Sequence, residues 1–333
     1  METLLDDTAA AIARTTLDAQ QDVFTTRGDL VRGGVAGAAE RVALGASGTV
    51  LTSDGTDAAW AAPAQVLPRS YLAGCALSNN GTDATNDIDI AAGQCRNTGD
   101  TRSIAVAAMT KRLDANWVAG TNQGMRNSAA AIANGTYHIY AVAKADGTQD
   151  IYAYAGVAGT NPDSSASVAT VVAALQAESG GTDYLYARRI GSILRVAGAI
   201  VAFQQAGDEF LRNDAGVLDV DVTNQGSTAV DRSLSVPLGL KPVALLNAYV
   251  TDASAGSDSV TYIKDKDISD QAASVSAAPL GMIACGSAGG TGMASLRVRT
   301  DRSGRVTSRA IDASAVTLRI ATMGWIDSRG RDD

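Results

Sequence analysis

Short apolar runs separated by turn dipeptides at regular intervals constrain this chain more than any other feature. Asn80-Gly81, Asn134-Gly135, Asp146-Gly147 and Ala197-Gly198 interrupt runs rich in Val, Ile and Tyr, and such text folds as β-strands joined by tight turns. Residues 136–144 (TYHIYAVAK) and 150–155 (DIYAYA) flank the Asp146-Gly147 loop and predict a hairpin; 184–194 and 199–203 predict another. The last third repeats the pattern at 217–222, 243–251, 260–263, 295–300 and 316–325. Within 295–300, Leu296 and Val298 alternate with Arg297 and Arg299, giving a sheet with one packed and one wet face. Residues 164–177 fit neither the helical nor the strand period, and their alanines leave helix and loop both open.

Ahead of this β text, residues 2–24 contain neither Gly nor Pro, and Leu5, Ala9, Ile12, Thr16, Ala19 and Val23 fall at alternating four- and three-residue steps. That spacing predicts an N-terminal α-helix over 1–24. Ala and Thr fill half of the seam, so two readings stand side by side: a coiled coil, and a single amphipathic helix lying on a neighbouring subunit. Both bury the stripe against another chain. Residues 25–68 follow, where runs such as 42–44 and 49–52 alternate with glycine turns. Strands this short cannot build a core alone. The stretch is therefore expected to be an intertwined β neck in which copies complete one another's sheets and bury Leu30, Val42, Leu44, Val50, Leu51 and Trp60. Pro63 and Pro68 mark its end. The expected fold class is mainly β, with two antiparallel β-sandwich or jelly-roll-like domains over 69–213 and 214–333. The expected oligomer interface comprises Leu5, Ile12, Ala19, Val23, Val42, Leu44, Val50, Leu51 and Trp60.

With 333 residues, 46% hydrophobic and 19% charged, the chain can bury a substantial core. Its formal net charge of −8 and scattered Lys and Arg leave no basic stripe for phosphates or anionic lipid, so no nucleic-acid partner and no membrane insertion are expected. The start, METLLDDTAA, has no apolar signal region, and no run of ~18 apolar residues occurs. Synthesis in the cytoplasm as a soluble protein is the expectation. Cys75, Cys95 and Cys285 are odd in number and lack C-x-x-C spacing, against a disulfide framework or a structural zinc site. Three reduced structural thiols are expected, with a Cys75–Cys95 bridge as the alternative.

No arrangement of residues announces catalysis. His138 is the sole histidine, it sits inside a strand-like run, and no serine lies in G-x-S-x-G, so a structural histidine is expected. Asp83, Asp87 and Asp89 are close enough to suggest a glycosidase pair or a calcium site, as are Asp265 and Asp267 for calcium, but turn and edge-strand roles explain them better. Arg27-Gly28-Asp29 reads as a turn, residues 286–292 (GSAGGTG) as a loop rather than a phosphate cradle, and the sequons at Asn80 and Asn134 as hairpin turns. Neither cofactor nor metal is expected. Trp117, Tyr249 and Tyr262 are the aromatic residues suited to stacking on a sugar, with core packing as the rival role for each.

GASGTVLTSDGTDAAW, residues 45–60, resembles the G-x-x-G-x-V-L-x-x-x-G-x-x-x-x-W segment of tail fibre and related structural proteins of tailed bacteriophages, and the likeness includes the TTRGDL lead-in at 25–30. Residues 77–96, 110–124 and 186–211 are similar to a domain shared among phage and prophage tail proteins, and GWIDSRGR (324–331) to endings in the same group. The resemblance implies a virion component, usually homotrimeric, so that a helix over 1–24 would form a trimeric coiled coil. It also implies an N-terminal part that attaches to other virion proteins and outward β domains that meet a host surface glycan or protein. The chain departs from a long fibre in having no repeated shaft, which leaves tail, baseplate, neck and head attachment equally compatible.

Overall fold

The structure, a computed structural model, describes residues 24–53, 55–61, 67–214, 216–253, 259–286, 289–312 and 315–331. The chain divides into two compact units, Met1–Val66 and Leu67–Asp333. The helix expected over 1–24, with Leu5, Ile12, Ala19 and Val23, lies outside the described residues except for Phe24. Among the described residues the fold is mainly β, and none of its helices is long and apolar enough to cross a membrane.

The first unit holds two antiparallel hairpins. Leu30–Gly33 pairs with Ala39–Val42 across one turn of 3-10 helix, and Val50–Ser53 pairs with Ala58–Ala61. Among the described residues each is a two-stranded sheet.

The second unit is built on an eight-stranded sheet whose centre is the hairpin read from sequence. Gly135–Lys144 pairs with Gln149–Ala155 on one side and with the 13-residue strand Tyr184–Val196 on the other. Gly135–Lys144 is buried almost throughout because both of its faces are covered. Tyr137, Ile139, Ala141 and Ala143 join one hydrophobic cluster with Ile104 and Val106, from a three-stranded sheet formed by Leu72–Gly74, Gly93–Arg96 and Ser103–Val106. Tyr140 and Val142 point the other way and pack with Trp117, Tyr152, Tyr184 and the helix Ser165–Gln176 through Val168, Val171 and Leu175. That helix settles the stretch left open by the sequence. Ser164 caps it by accepting a hydrogen bond from the Ser167 N–H, and its apolar positions recur at three- and four-residue steps. The large sheet is not purely antiparallel: Gln123–Arg126 runs parallel to both of its neighbours.

The remaining strands form a six-stranded and a four-stranded sheet. Val243–Asp252 alternates inward Ala244, Leu246, Ala248 and Val250 with outward residues, as a half-wet strand should. The expected division at residue 213 falls inside this second body. Phe203–Ala206 and Glu209–Arg212 hydrogen-bond into the sheet of Val316–Ile326, with Phe210 directly opposite Trp325. The two rings stack at 5.5 Å and 8°. One hydrophobic cluster consequently runs from Leu72 to Trp325, so 69–213 and 214–333 share a core instead of owning one each.

Candidate functional site

The first unit exposes much of its apolar surface. Among its described residues the only buried one is Asp29, a polar residue. Leu30, Val31, Leu44, Val50 and Leu51 are exposed, Val35 is 88% exposed, and Val42 and Trp60 are half-buried. The register shows how little the hairpins cover themselves: Leu30 faces Val42 and Leu51 faces Trp60, and among the described residues no further strand pairs with either hairpin. Polar contacts hold the chain in place. The Asp29 carboxylate accepts from Arg41 Nε at 2.7 Å and from the N–H groups of Thr25, Thr26 and Leu44. Arg41, helped by those N–H groups, holds the Asp29 carboxyl well below the usual carboxylate range. Arg32 joins the two hairpins by donating to Glu40 and to the Ala58 carbonyl. Thus Arg27-Gly28-Asp29 presents no free carboxylate; its acid is an internal tie.

The residues weighed for chemistry are scattered. Asp83 caps the N–H groups of Thr85 and Asn86, and Asp89 accepts from Asn80 Nδ2 and Thr110 Oγ1. Asp87 and Asp89 do share a strand face in Asp87–Ile90. Burial and the nearby Asp83 push the Asp87 carboxyl up. Asp265 caps the Asp267 N–H, and Asp267 pairs with Lys241. Among the described residues no cluster of His, Cys, Asp or Glu is placed to hold a metal ion. Trp117 is in the core, donates to the Ile151 carbonyl at 3.1 Å and meets Tyr184 edge-on. Tyr262 is buried and donates to the Ser274 carbonyl. Tyr249 alone of the three is half-buried, under the Arg319 guanidinium. Cys75, Cys95 and Cys285 are buried and unbridged. Ala197-Gly198 makes a two-residue hairpin turn with both residues at positive φ, and Asn80 an Asx turn, whereas Asn134 opens a strand and accepts from the Gly198 N–H.

Sequence reasoning missed the most highly charged point of the interior. The register of Tyr184–Val196 slips by one residue between Arg189 and Gly191, which brings Arg189 opposite Tyr140, and Ser192 lies opposite His138. Arg189 is 1% exposed and forks onto two acids: Asp163, just before the helix, at 2.7 Å, and Asp327, just after the last strand, at 2.6 Å. It also donates to Ser192 Oγ, which sits 2.8 Å from His138 Nδ1. Burial opposes the charge of Arg189, but Asp163 and Asp327 outweigh it and drive its pKa further up. Asp327 is correspondingly held low against its own burial. His138 is pushed down to about 3 by burial, with the Arg189 charge adding to the effect. The imidazole is held neutral and Ser192 is fully enclosed, so the pair adds two buried polar groups to the lock around Arg189. The signal for this centre was the adjacent pair Arg188-Arg189 inside an apolar strand run, which requires buried acids elsewhere in the chain.

Beside the lock opens a cleft of about 290 Å³, lined by Asp163, Arg189 and Asp327 at its floor and by Lys241, Arg299 and Arg302 among its walls. Besides Asp163 and Arg189, three separate parts of the sequence meet there: the turn into Val243–Asp252, the end of Thr291–Arg299 with the turn after it, and the end of Val316–Ile326.

No protein-family model matches the chain, and no curated protein matches it. Among solved structures, the crystal structure of a Bacillus thuringiensis Cry1Da tryptic core variant aligns with 72% of this chain and 48% of its own at 10% identity, with a TM-score of 0.18. The chain spans about half the length of that structure, and a likeness so slight carries no argument.

Proposed function

We propose that this chain is a structural fibre or spike component of a tailed-phage particle, assembled as a homotrimer, that attaches the particle to the host surface by multivalent binding. The observation that carries the reading is the exposure of the neck's apolar residues: among the described residues, Leu30, Leu44, Val50 and Leu51 are exposed and the two hairpins have no third strand. Two further copies would supply the missing layer and bury those side chains, which is the arrangement that makes short strands stable. The resemblance of 45–60, 77–96, 110–124 and 186–211 to phage tail proteins supports the virion setting.

In this reading residues 1–24 fasten the trimer to other virion proteins, and the β-rich unit that follows faces a host glycan or protein. It acts by binding rather than by catalysis. Weak individual sites suffice, because several copies on one particle raise the effective concentration of each. Light scattering coupled to size exclusion tests the assembly: the expected mass is three times the 33.9 kDa of one chain. A single-chain mass at micromolar concentration overturns it. Binding of the purified protein to host cells, and its competition with infection, tests the attachment.

A further inference from the structure

The cleft beside Arg189 has a charge pattern that selects one kind of ligand. Two carboxylates form its floor: Asp163 and Asp327 both pair with the buried Arg189, whose Nε, Nη1 and Nη2 groups all donate to protein acceptors. Arg189 is saturated and has no donor left for a ligand. Asp327 accepts from Arg189 Nη1, Arg189 Nη2 and the Arg329 N–H. A carboxylate has about four acceptor sites, so one stays open to a hydroxyl donor. The Ser328 side chain lies half-exposed at the same edge.

The walls have the opposite sign. Arg299 is exposed at the end of its strand, and among the described residues it has no carboxylate partner. Arg302 is half-buried and anchored through Nη1 to the Gly239 carbonyl at 2.8 Å, which fixes where its guanidinium sits. Lys241 is already engaged by Asp267.

A ligand that satisfies both surfaces carries hydroxyl donors on one side and a single negative charge on the other. A phosphate dianion meets the acidic floor and is repelled, and a neutral sugar leaves two guanidinium groups without a counter-charge. A carboxylate suits them, since arginine binds it through two parallel hydrogen bonds. The volume of about 290 Å³ is at the small end for ligand sites, typically ~300–1,000 Å³, and holds one ring-sized residue.

We propose that this cleft is a subsite for a carboxylate-bearing monosaccharide unit of an acidic glycan, with Arg299 and Arg302 taking the carboxylate and Asp327 a ring hydroxyl. The proposal gives a ligand class to the surface attachment inferred above and rests on that reading for its setting, while its chemistry stands on the cleft.

The test uses sugars that differ only in the carboxylate: methyl glucuronoside and methyl galacturonoside against methyl glucoside and methyl galactoside, titrated by ligand-observed NMR into the full-length protein. At least one uronoside is expected to bind about tenfold more tightly than its neutral parent. The Arg299→Gln and Arg302→Gln variants, each with an unchanged melting temperature, are expected to remove that preference. Failure of both uronosides to outbind their parents, or a preference that survives both variants, overturns the proposal. Host-cell binding by the same preparations separates the two readings. Cell binding without uronoside preference removes the subsite and leaves attachment standing; uronoside preference without cell binding does the reverse.

Discussion

Arg189 shows what a buried charge demands of the residues around it. Asp163 and Asp327 both pair with this guanidinium, so Arg189→Met takes the shared ion-pair partner from two buried acids, at a cost of about 3–5 kcal/mol in urea unfolding. Arg189→Lys should recover part of that, because a point charge reaches one carboxylate well but cannot fork to two. His138 adds a dependence on pH. Its ordinary pKa is 6.5 and its folded one about 3, so below pH 6.5 the unfolded chain takes up a proton that the folded chain refuses. Stability contributed by the neutral imidazole is complete above pH 6.5 and falls as pH drops towards about 3, by up to ~1.4 kcal/mol per unit. Asp327, held low, acts in the same direction but in the more acid range, as its folded carboxylate is protonated. Between pH 7 and 5, urea midpoints should therefore record about 2 kcal/mol more loss for the natural protein than for His138→Gln. Parallel curves would mean that the imidazole titrates alike in the folded and unfolded chain.

At the level of elements, the helix Ser165–Gln176 separates what the sequence discloses from what packing decides. Its cap was there to be read: Ser164 with Ser167 three residues on. Its apolar stripe was not, since Ala166, Ala169, Ala173 and Ala174 contrast weakly with Val168, Val171 and Leu175, and docking on Tyr140, Tyr152 and Tyr184 supplies the missing preference. Ser164→Ala should lower thermal stability by about 1 kcal/mol through loss of that cap. The central hairpin was legible because both strands carry β-branched and aromatic residues around a strong turn signal. The pairing of Glu209–Arg212 with Val316–Ile326 was not, because no local pattern specifies a neighbour more than a hundred residues away. The Arg189 centre was hidden for a similar reason, since neither of its acids, Asp163 and the distant Asp327, is marked as its partner by any local pattern. Gly324 marks that join. A Cβ there would come within 2.3 Å of the Phe210 carbonyl oxygen. Gly324→Ala should cost about 1–3 kcal/mol and disturb the Phe210–Trp325 stack, visible in near-ultraviolet circular dichroism.

For the whole molecule, the question is whether the apolar residues of the first unit meet other copies, and Leu51 discriminates between the outcomes. In a lone chain Leu51 is 46% exposed, so Leu51→Glu swaps one exposed side chain for another and changes stability by no more than about 0.5 kcal/mol. In a trimer the same position lies at a buried seam opposite Trp60, where three unpaired carboxylates would be brought together out of water. The natural protein should thus run as a trimer whose first melting transition rises with protein concentration, as dissociation coupled to unfolding requires. Leu51→Glu should run as a monomer at the same concentration. Its second unit, with the Leu72-to-Trp325 core untouched, should melt as it does in the natural chain. A variant that remains trimeric would place the assembly contacts outside the hairpins, and a natural protein with concentration-independent melting and a single-chain mass would mean that these side chains stay in water.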